Sequence, residues 1–371
     1  MTTILTAITF LLMFCTLVAV HEWGHYLAAR RMKMGVDEFA IGFGKVVKTW
    51  KRKDFQIGDE THETVFNLRA IPLGGFVRIT GMEPKEDGSE VNIPNGFYSK
   101  KPIARIVALV AGPLFSVIFG VILLFGLIAV IGVKTPVPIV NAIVKESAAF
   151  KAGVQLGDRI VAVEGKQVTE PIQVVEVIRA KLGQPVAVSV LRGAETINFN
   201  MTPALSKEKY PVLDKNGLPT GKLEQLPRIG IEFATEFRRV PPGEAFAAAV
   251  SAPIISFERL FFRLTQPVQI LEESTGVVGM VAKTNEAVQG GFDEVIYICA
   301  VISIGLGIAN LLPLGMLDGG QILLAFVEML NRNRRLSFRL QSAYLTVGLA
   351  FMAIAFILIT RQDIIRFVLP K

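Results

Sequence analysis

His21-Glu22-Trp23-Gly24-His25 sets two of the chain's three histidines four residues apart, with a carboxylate beside the first. On a helix, positions i and i+4 share a face, so both imidazoles can present a nitrogen to one cation. Glu22 is turned about 100° from that line and stands beside the same point, where it can deprotonate water. Zinc suits such a site: imidazole donors at about 2 Å, tetrahedral geometry and one position left for water. The same spacing also arises as a pair of surface histidines at a helix end, so its setting decides. Residues 4–20 carry no charge and lead straight into the motif, and the first basic residue is Arg30. Nine residues at about 1.5 Å each put His21 roughly 13 Å inside the level of Arg30. Ionisable groups at membrane depth cost about 2.5–3.5 kcal/mol each by insertion scales, which a bound metal or a polar cavity offsets.

Two imidazoles need a third donor from elsewhere in the chain. Asp37, Glu38, His62, Asp318 and Glu328 are candidates. His62 lies in "GDETHET" and reads as a solvated loop histidine. Asp318 follows the apolar run 295–317 in "NLLPLGMLDGG", where Pro313, Gly315, Gly319 and Gly320 interrupt a helix. Irregular backbone at membrane depth is tolerated where it lines protein or a wet cavity, which favours Asp318 as the ligand over a plain Asp-Gly turn.

The elements that must carry these residues are mostly apolar. Four stretches, 4–20, 106–133, 295–317 and 343–360, are uncharged and match the ~20 residues that cross a bilayer. The first lacks a basic leader and a small-residue cleavage site, so it reads as a retained span. The net charge of +7 is not spread as a nucleic-acid surface. Arg30, Arg31 and Lys33, then Lys100, Lys101 and Arg105, then Arg332, Arg334, Arg335 and Arg339 all fall at span ends. By the positive-inside rule these ends are cytoplasmic, which puts both termini and residues 134–292 outside. Cys15 and Cys299 fall within spans and read as small apolar residues.

Between the spans the pattern changes. Residues 35–101 read as a cytoplasmic loop with a membrane-associated hairpin or bent strand over 67–82, a turn at 41–44 and a flexible connector over 83–96. Residues 134–236 read as strands with Gly-Asp turns, two short helices, and a polar insertion over 206–226. Gly153, Gly157, Asp158 and Ile160 give this part a resemblance to PDZ domains of the kind attached to proteases. Residues 237–292 are amphipathic and read as a helical stretch on the membrane surface.

Taken together, His21-Glu22-x-x-His25 in the first span, Asn310 to Pro313 through Leu317-Asp318-Gly319-Gly320 in the third, and a PDZ domain between spans two and three resemble the site-2 proteases. The type is that of the bacterial regulator-of-sigma-E protease. "GGFVRITGM" (74–82) and "AGP" (111–113) extend the resemblance over nearly the whole chain. It implies a polytopic α-helical membrane protein of about four transmembrane helices in the bacterial inner membrane, with an inserted extracytoplasmic PDZ-like (α+β) domain. Its divisions are 1–34, 35–101, 102–133, 134–236, 237–292 and 293–371. By the resemblance His21, His25 and Asp318 bind Zn2+ and Glu22 is the general base. Asn310 and the strand residues Gly75, Phe76, Val77, Arg78 and Ile79 hold a single-span transmembrane protein or peptide substrate of the anti-sigma-factor or remnant-signal-peptide class. The PDZ domain either excludes bulky substrates or takes a peptide C-terminus; the partners are membrane proteins and the bilayer, not nucleic acid. Ser116 stands where the family often has Asn, Gln321 where it often has His, and one PDZ copy is evident. A catalytically inactive PDZ-bearing scaffold and a zinc transporter are the rivals. Retention of all four site residues disfavours the first, and the lack of repeated intramembrane ligands disfavours the second.

Overall fold

The computed structural model of the chain describes residues 2–57, 60–213, 219–264 and 275–367. In order the elements are α1 (Thr2–Arg31), β1 (Val36–Ile57), β2 (Glu60–Ile79), α2 (Pro102–Val130) and β3 (Val133–Ile143). Then come α3 (Ala148–Ala152), β4 (Arg159–Val163), β5 (Lys166–Gln167), α4 (Pro171–Ala180), β6 (Val186–Arg192) and β7 (Glu195–Met201). Strands β8 (Ala204–Leu213), β9 (Pro219–Arg228) and β10 (Ile231–Arg238) precede α5 (Pro242–Leu264), α6 (Val277–Gly290), α7 (Phe292–Asn310), α8 (Asp318–Leu330) and α9 (Phe338–Phe367). The chain divides into two compact units, one of residues 1–127 with 242–371 and the other of residues 128–241.

Helices α1, α2, α7 and α9 are long and apolar enough to cross a membrane. Phe10, Met13 and Leu17 of α1 pack with Met280 of α6, Phe119 of α2, and Ile298 and Leu306 of α7. A second cluster joins Leu124, Ala249, Ala300 and Ile304, and so binds α5 to α2 and α7. Helix α1 ends at Arg30 and Arg31, cations that suit the negative end of its dipole, and Lys33 leaves in a left-handed turn with φ 55°.

Strands β1 and β2 fold back on themselves to give four antiparallel segments. Residues 36–41 pair on one side with 75–79 and on the other with 65–68, while 46–53 closes the far side of 63–69. β1 turns near Gly42 and Gly44, where φ is 87° and 80°. β2 bends before Gly75, within the stretch expected to hold a hairpin or bent strand. Tyr26 and Ala29 of α1, Phe39, Phe66 and Ile79 of the sheet, and Ala108 and Leu109 of α2 form its core.

Two expectations change here. Residues 83–96 are no free connector: Glu90 is buried and paired with Arg335, and Gly35 donates to the Asn95 carbonyl at 3.0 Å. His62 is no solvated loop residue: it sits on β2, with Nε2 3.5 Å from Thr80 Oγ1 and 3.7 Å from Asp37 Oδ1. Both follow from contacts with chain distant in sequence. Nearby, Arg105 of α2 pairs with Glu328 of α8, both buried, and Glu328 also accepts from the Leu336 amide at 3.0 Å. Tyr98 donates to Gln341 at 2.9 Å across the same cluster.

In residues 128–241 the antiparallel order is β10-β3-β4-β6-β7, with β5 beside β4, around a core that includes Val140, Ile160, Val174, Val188 and Val190. The segment expected as a polar insertion pairs as the hairpin β8–β9. Asp158, buried at the turn into β4, accepts from the Gln155 amide and grips Arg192 of β6 through two contacts of 2.8 Å. That guanidinium, with help from the Gln155 amide, holds the Asp158 carboxyl below the usual carboxylate range. A depressed carboxylate contributes stability that is present above its unfolded value near pH 4 and lost as the pH falls through its lower folded value. Asp158→Asn should therefore destabilise this unit by about 1.5–3 kcal/mol at neutral pH, with the deficit shrinking in acid. Pulse proteolysis of the full chain in urea, read at sites within 128–241, measures it; an equal deficit at every pH would contradict the charge argument.

Candidate metal centre

His21 and His25 lie one turn apart on the inward face of α1, both buried. Asp318 is the first residue of α8, and its Oδ2 stands 3.1 Å from His21 Nε2 and 3.3 Å from His25 Nε2. The two Nε2 atoms are themselves 3.3 Å apart. Ligands about 2.05 Å from a tetrahedral centre are separated by about 3.3–3.4 Å, so all three spacings match such a set.

The outer nitrogen of His25 fixes its tautomer. His25 Nδ1 faces the Ala108 carbonyl at 2.9 Å, and a carbonyl only accepts, so Nδ1 carries the proton. In the neutral ring, Nε2 is then a lone pair aimed at a carboxylate. His21 Nδ1 meets Ser116 Oγ at 3.0 Å. With the His21 proton likewise on Nδ1, three acceptors converge with no hydrogen between them. Such a group calls for a cation, and the donor set of two imidazoles and one carboxylate fits zinc.

Helix α2 makes this arrangement possible through residues spaced by four. Ala108 orients His25, Ser116 orients His21, and Gly112 between them leaves room for the His25 ring. A Cβ at 112 would lie 2.1 Å from His25 Nε2, and one at Gly24 would lie 2.4 Å from the Ala111 carbonyl oxygen. Small residues on both helices thus bring the two backbones together. Ser303 of α7 donates to the Ser116 carbonyl at 2.7 Å, which ties the third span to the same stripe.

Of the five candidate third donors, only Asp318 joins the histidines. Glu38 is engaged by Asn67, Arg69 and Arg78; Glu328 is engaged by Arg105; His62 and Asp37 stand together at Thr80. Asn310 ends α7 with Nδ2 3.3 Å from His21 Nε2. Glu22 opens onto a cavity of about 310 Å³ that His21, His25, Asn310 and Asp318 share with Gly75, Phe76, Val77 and Ile79. That strand segment is paired with 36–41 on one side and borders the cavity on the other. Arg78 does not line it; its guanidinium turns to Glu38 at 3.4 Å. Ser116, which in the sequence is only a departure from the family pattern, is the residue behind His21. The "AGP" stretch was the available signal for Gly112, but nothing in one sequence ties it to His25.

Comparison with known proteins supplies the family. The family model described as peptidase family M50 matches residues 9–355. A Brucella suis protein that carries a provisional zinc-metalloprotease name is 30% identical over 337 residues, covering 87% of this chain and 86% of its own length. The regulator of sigma-W protease RasP of Bacillus subtilis is 26% identical, covering 97% of this chain and 98% of its own length. Among solved structures, the PDZ domain of an SdrC-like protein of Listeria monocytogenes is similar at 19% identity. It covers 27% of this chain and 90% of its own, at a TM-score of 0.20, too low to add to the strand order already given. A multi-pass membrane protein by its four apolar helices, the chain belongs to peptidase family M50.

Proposed function

We propose that the protein is an intramembrane zinc endopeptidase in which His21, His25 and Asp318 hold the metal and Glu22 is the general base. The carrying observation is the convergence of three acceptor atoms at 3.1–3.3 Å beside a carboxylate-lined cavity. Zinc is the cofactor, as the names of relatives indicate. What the metal supplies is Lewis acidity towards a scissile carbonyl and water. The chain's own residues do the rest. Glu22 takes the proton from the attacking water and hands it to the leaving nitrogen. Ser116 and the Ala108 carbonyl keep both imidazoles in register, and Asn310 stands where it can donate to a substrate oxygen.

A transmembrane substrate hides its carbonyls in helical hydrogen bonds and must unwind locally before cleavage. The free side of residues 75–79 offers backbone partners to the unwound segment by strand addition, with Gly75, Phe76, Val77 and Ile79 at the site. Arg78 serves this strand from outside by its contact with Glu38. The substrate class is a single-span protein such as an anti-sigma factor or a remnant signal peptide, in keeping with a relative named as a regulator of sigma-W.

In this reading the metal centre lies on the cytoplasmic side of a bacterial inner membrane, the side that the positive-inside rule assigns to the basic span ends. Both termini and the PDZ-like residues 134–236 are then extracytoplasmic. There the PDZ-like part screens substrates by size or takes a peptide C-terminus.

Purified in detergent, the protein should hold about one zinc per chain by elemental analysis, and His21→Ala and Asp318→Ala should each lose it. Zinc that survives Asp318→Ala would remove that residue from the ligand set. Glu22→Gln should keep zinc while cleavage of a single-span substrate falls by about 10²–10⁴-fold. Gly112→Ala should lower zinc affinity, since its new methyl displaces the His25 ring. Chelator competition reads that loss, and wild-type affinity would mean that α2 does not set the ring's position.

A further inference from the structure

A second cavity, about 660 Å³, lies on the other side of α1 from the metal centre. Thr16, Val20 and Trp23 face it, whereas Val18, His21, Glu22 and His25 face the first cavity. The two stripes are about two residues out of phase, which is roughly 200° around a helix. It therefore takes no part in the chemistry at His21 and His25.

Its polarity is graded along its length. At one end is Arg52, exposed, flanked on β1 by exposed Lys51 and Lys53. Lys51 pairs with Glu63, whereas Arg52 has no carboxylate partner among the described residues. Arg52 lies opposite Thr64, which donates to the Val36 carbonyl just beyond the basic end of α1. In the middle stand Trp23 and Trp50, the chain's only two tryptophans, backed by Phe39 and Phe66. The far end is Thr16 with Phe115 of α2, about 10 Å further along α1 than Trp23.

We propose that this cavity binds one anionic phospholipid, with its phosphate on Arg52 and an acyl chain along the Trp23–Thr16 face of α1. Basic side chains at a membrane surface attract anionic headgroups. Tryptophan rings settle at the boundary between headgroups and hydrocarbon. The volume falls within the ~300–1,000 Å³ of small-molecule sites. An apolar chain fits the aromatic walls, and a phosphate answers Arg52, the basic residue of the lining.

Both tryptophans line the cavity, so the intact protein reports occupancy. Nanodiscs of phosphatidylcholine would be doped at equal mole fraction with phosphatidylglycerol or phosphatidylcholine carrying brominated acyl chains, and tryptophan quenching measured. Brominated phosphatidylglycerol should quench with an apparent preference of about fivefold, the effect of one basic side chain at a membrane surface. Arg52→Gln should abolish the preference with zinc content unchanged, and Arg52→Lys should keep most of it. Equal quenching by the two lipids in wild type is ordinary bilayer contact and overturns the proposal. A preference that persists in Arg52→Gln overturns it as well. Quenching relieved by an added single-span hydrophobic peptide would assign the groove to protein instead.

Discussion

Three hydrogen-bond acceptors held within 3.3 Å of one another in a largely apolar interior form the constraint on which the rest of this unit depends. Left without a cation they repel, and the cost grows as water is excluded. The protein holds them together by fixing each from behind. The Ala108 carbonyl and Ser116 Oγ hold the two imidazoles, and the start of α8 holds Asp318. The donor site is thus preorganised by partners that are not themselves donors, the usual way in which outer contacts orient a metal's ligands.

Helix α2 is the common reference for these positions. Its stripe of Ala108, Gly112 and Ser116 sets both rings, and one turn earlier Arg105 pairs with Glu328 near the other end of α8. The same helix therefore touches the histidines at one level and anchors the Asp318 helix at another. Removing one partner of a buried ion pair costs about 3–5 kcal/mol, because the other charge is left uncompensated. Such a tie resists sliding of α8 against α2 and so keeps the carboxylate at its distance.

Between α7 and α8 the backbone leaves the helix without leaving its polar groups bare. Leu314 donates to the Leu312 carbonyl at 2.7 Å, Leu317 to Leu314 at 2.9 Å, and Tyr344 caps the Pro313 carbonyl at 2.7 Å. Non-helical chain is tolerated near a membrane where its backbone groups find partners in protein, as these do. The break delivers Asn310 and Asp318 to one place from either side of the interruption. Across the cavity the segment 75–79 supplies a strand edge, so a helix-borne site and a sheet edge face each other.

Long uncharged runs revealed four spans, since length and apolarity are local properties, and the helical repeat alone put His21 and His25 on one face. The alternation and turns of residues 134–236 likewise carried a strand-rich unit, though the pairing of β8 with β9 lay hidden in polar sequence that lacks periodicity. What the sequence by itself determined is whatever depends on neighbours within a turn or a strand: two imidazoles and a carboxylate at the end of an apolar helix. The broken helix and the resemblance already favoured Asp318, but only the tertiary structure brought it to the histidines and held Glu38, Glu328 and His62 elsewhere. Each rejected acid has its own partner, Arg69 or Arg105, set by contacts 31 and 223 residues apart. It also decided that Ser116 backs His21 and that Gly112 makes room for His25, because a close approach of two helices is a property of the pair and is written in neither helix alone.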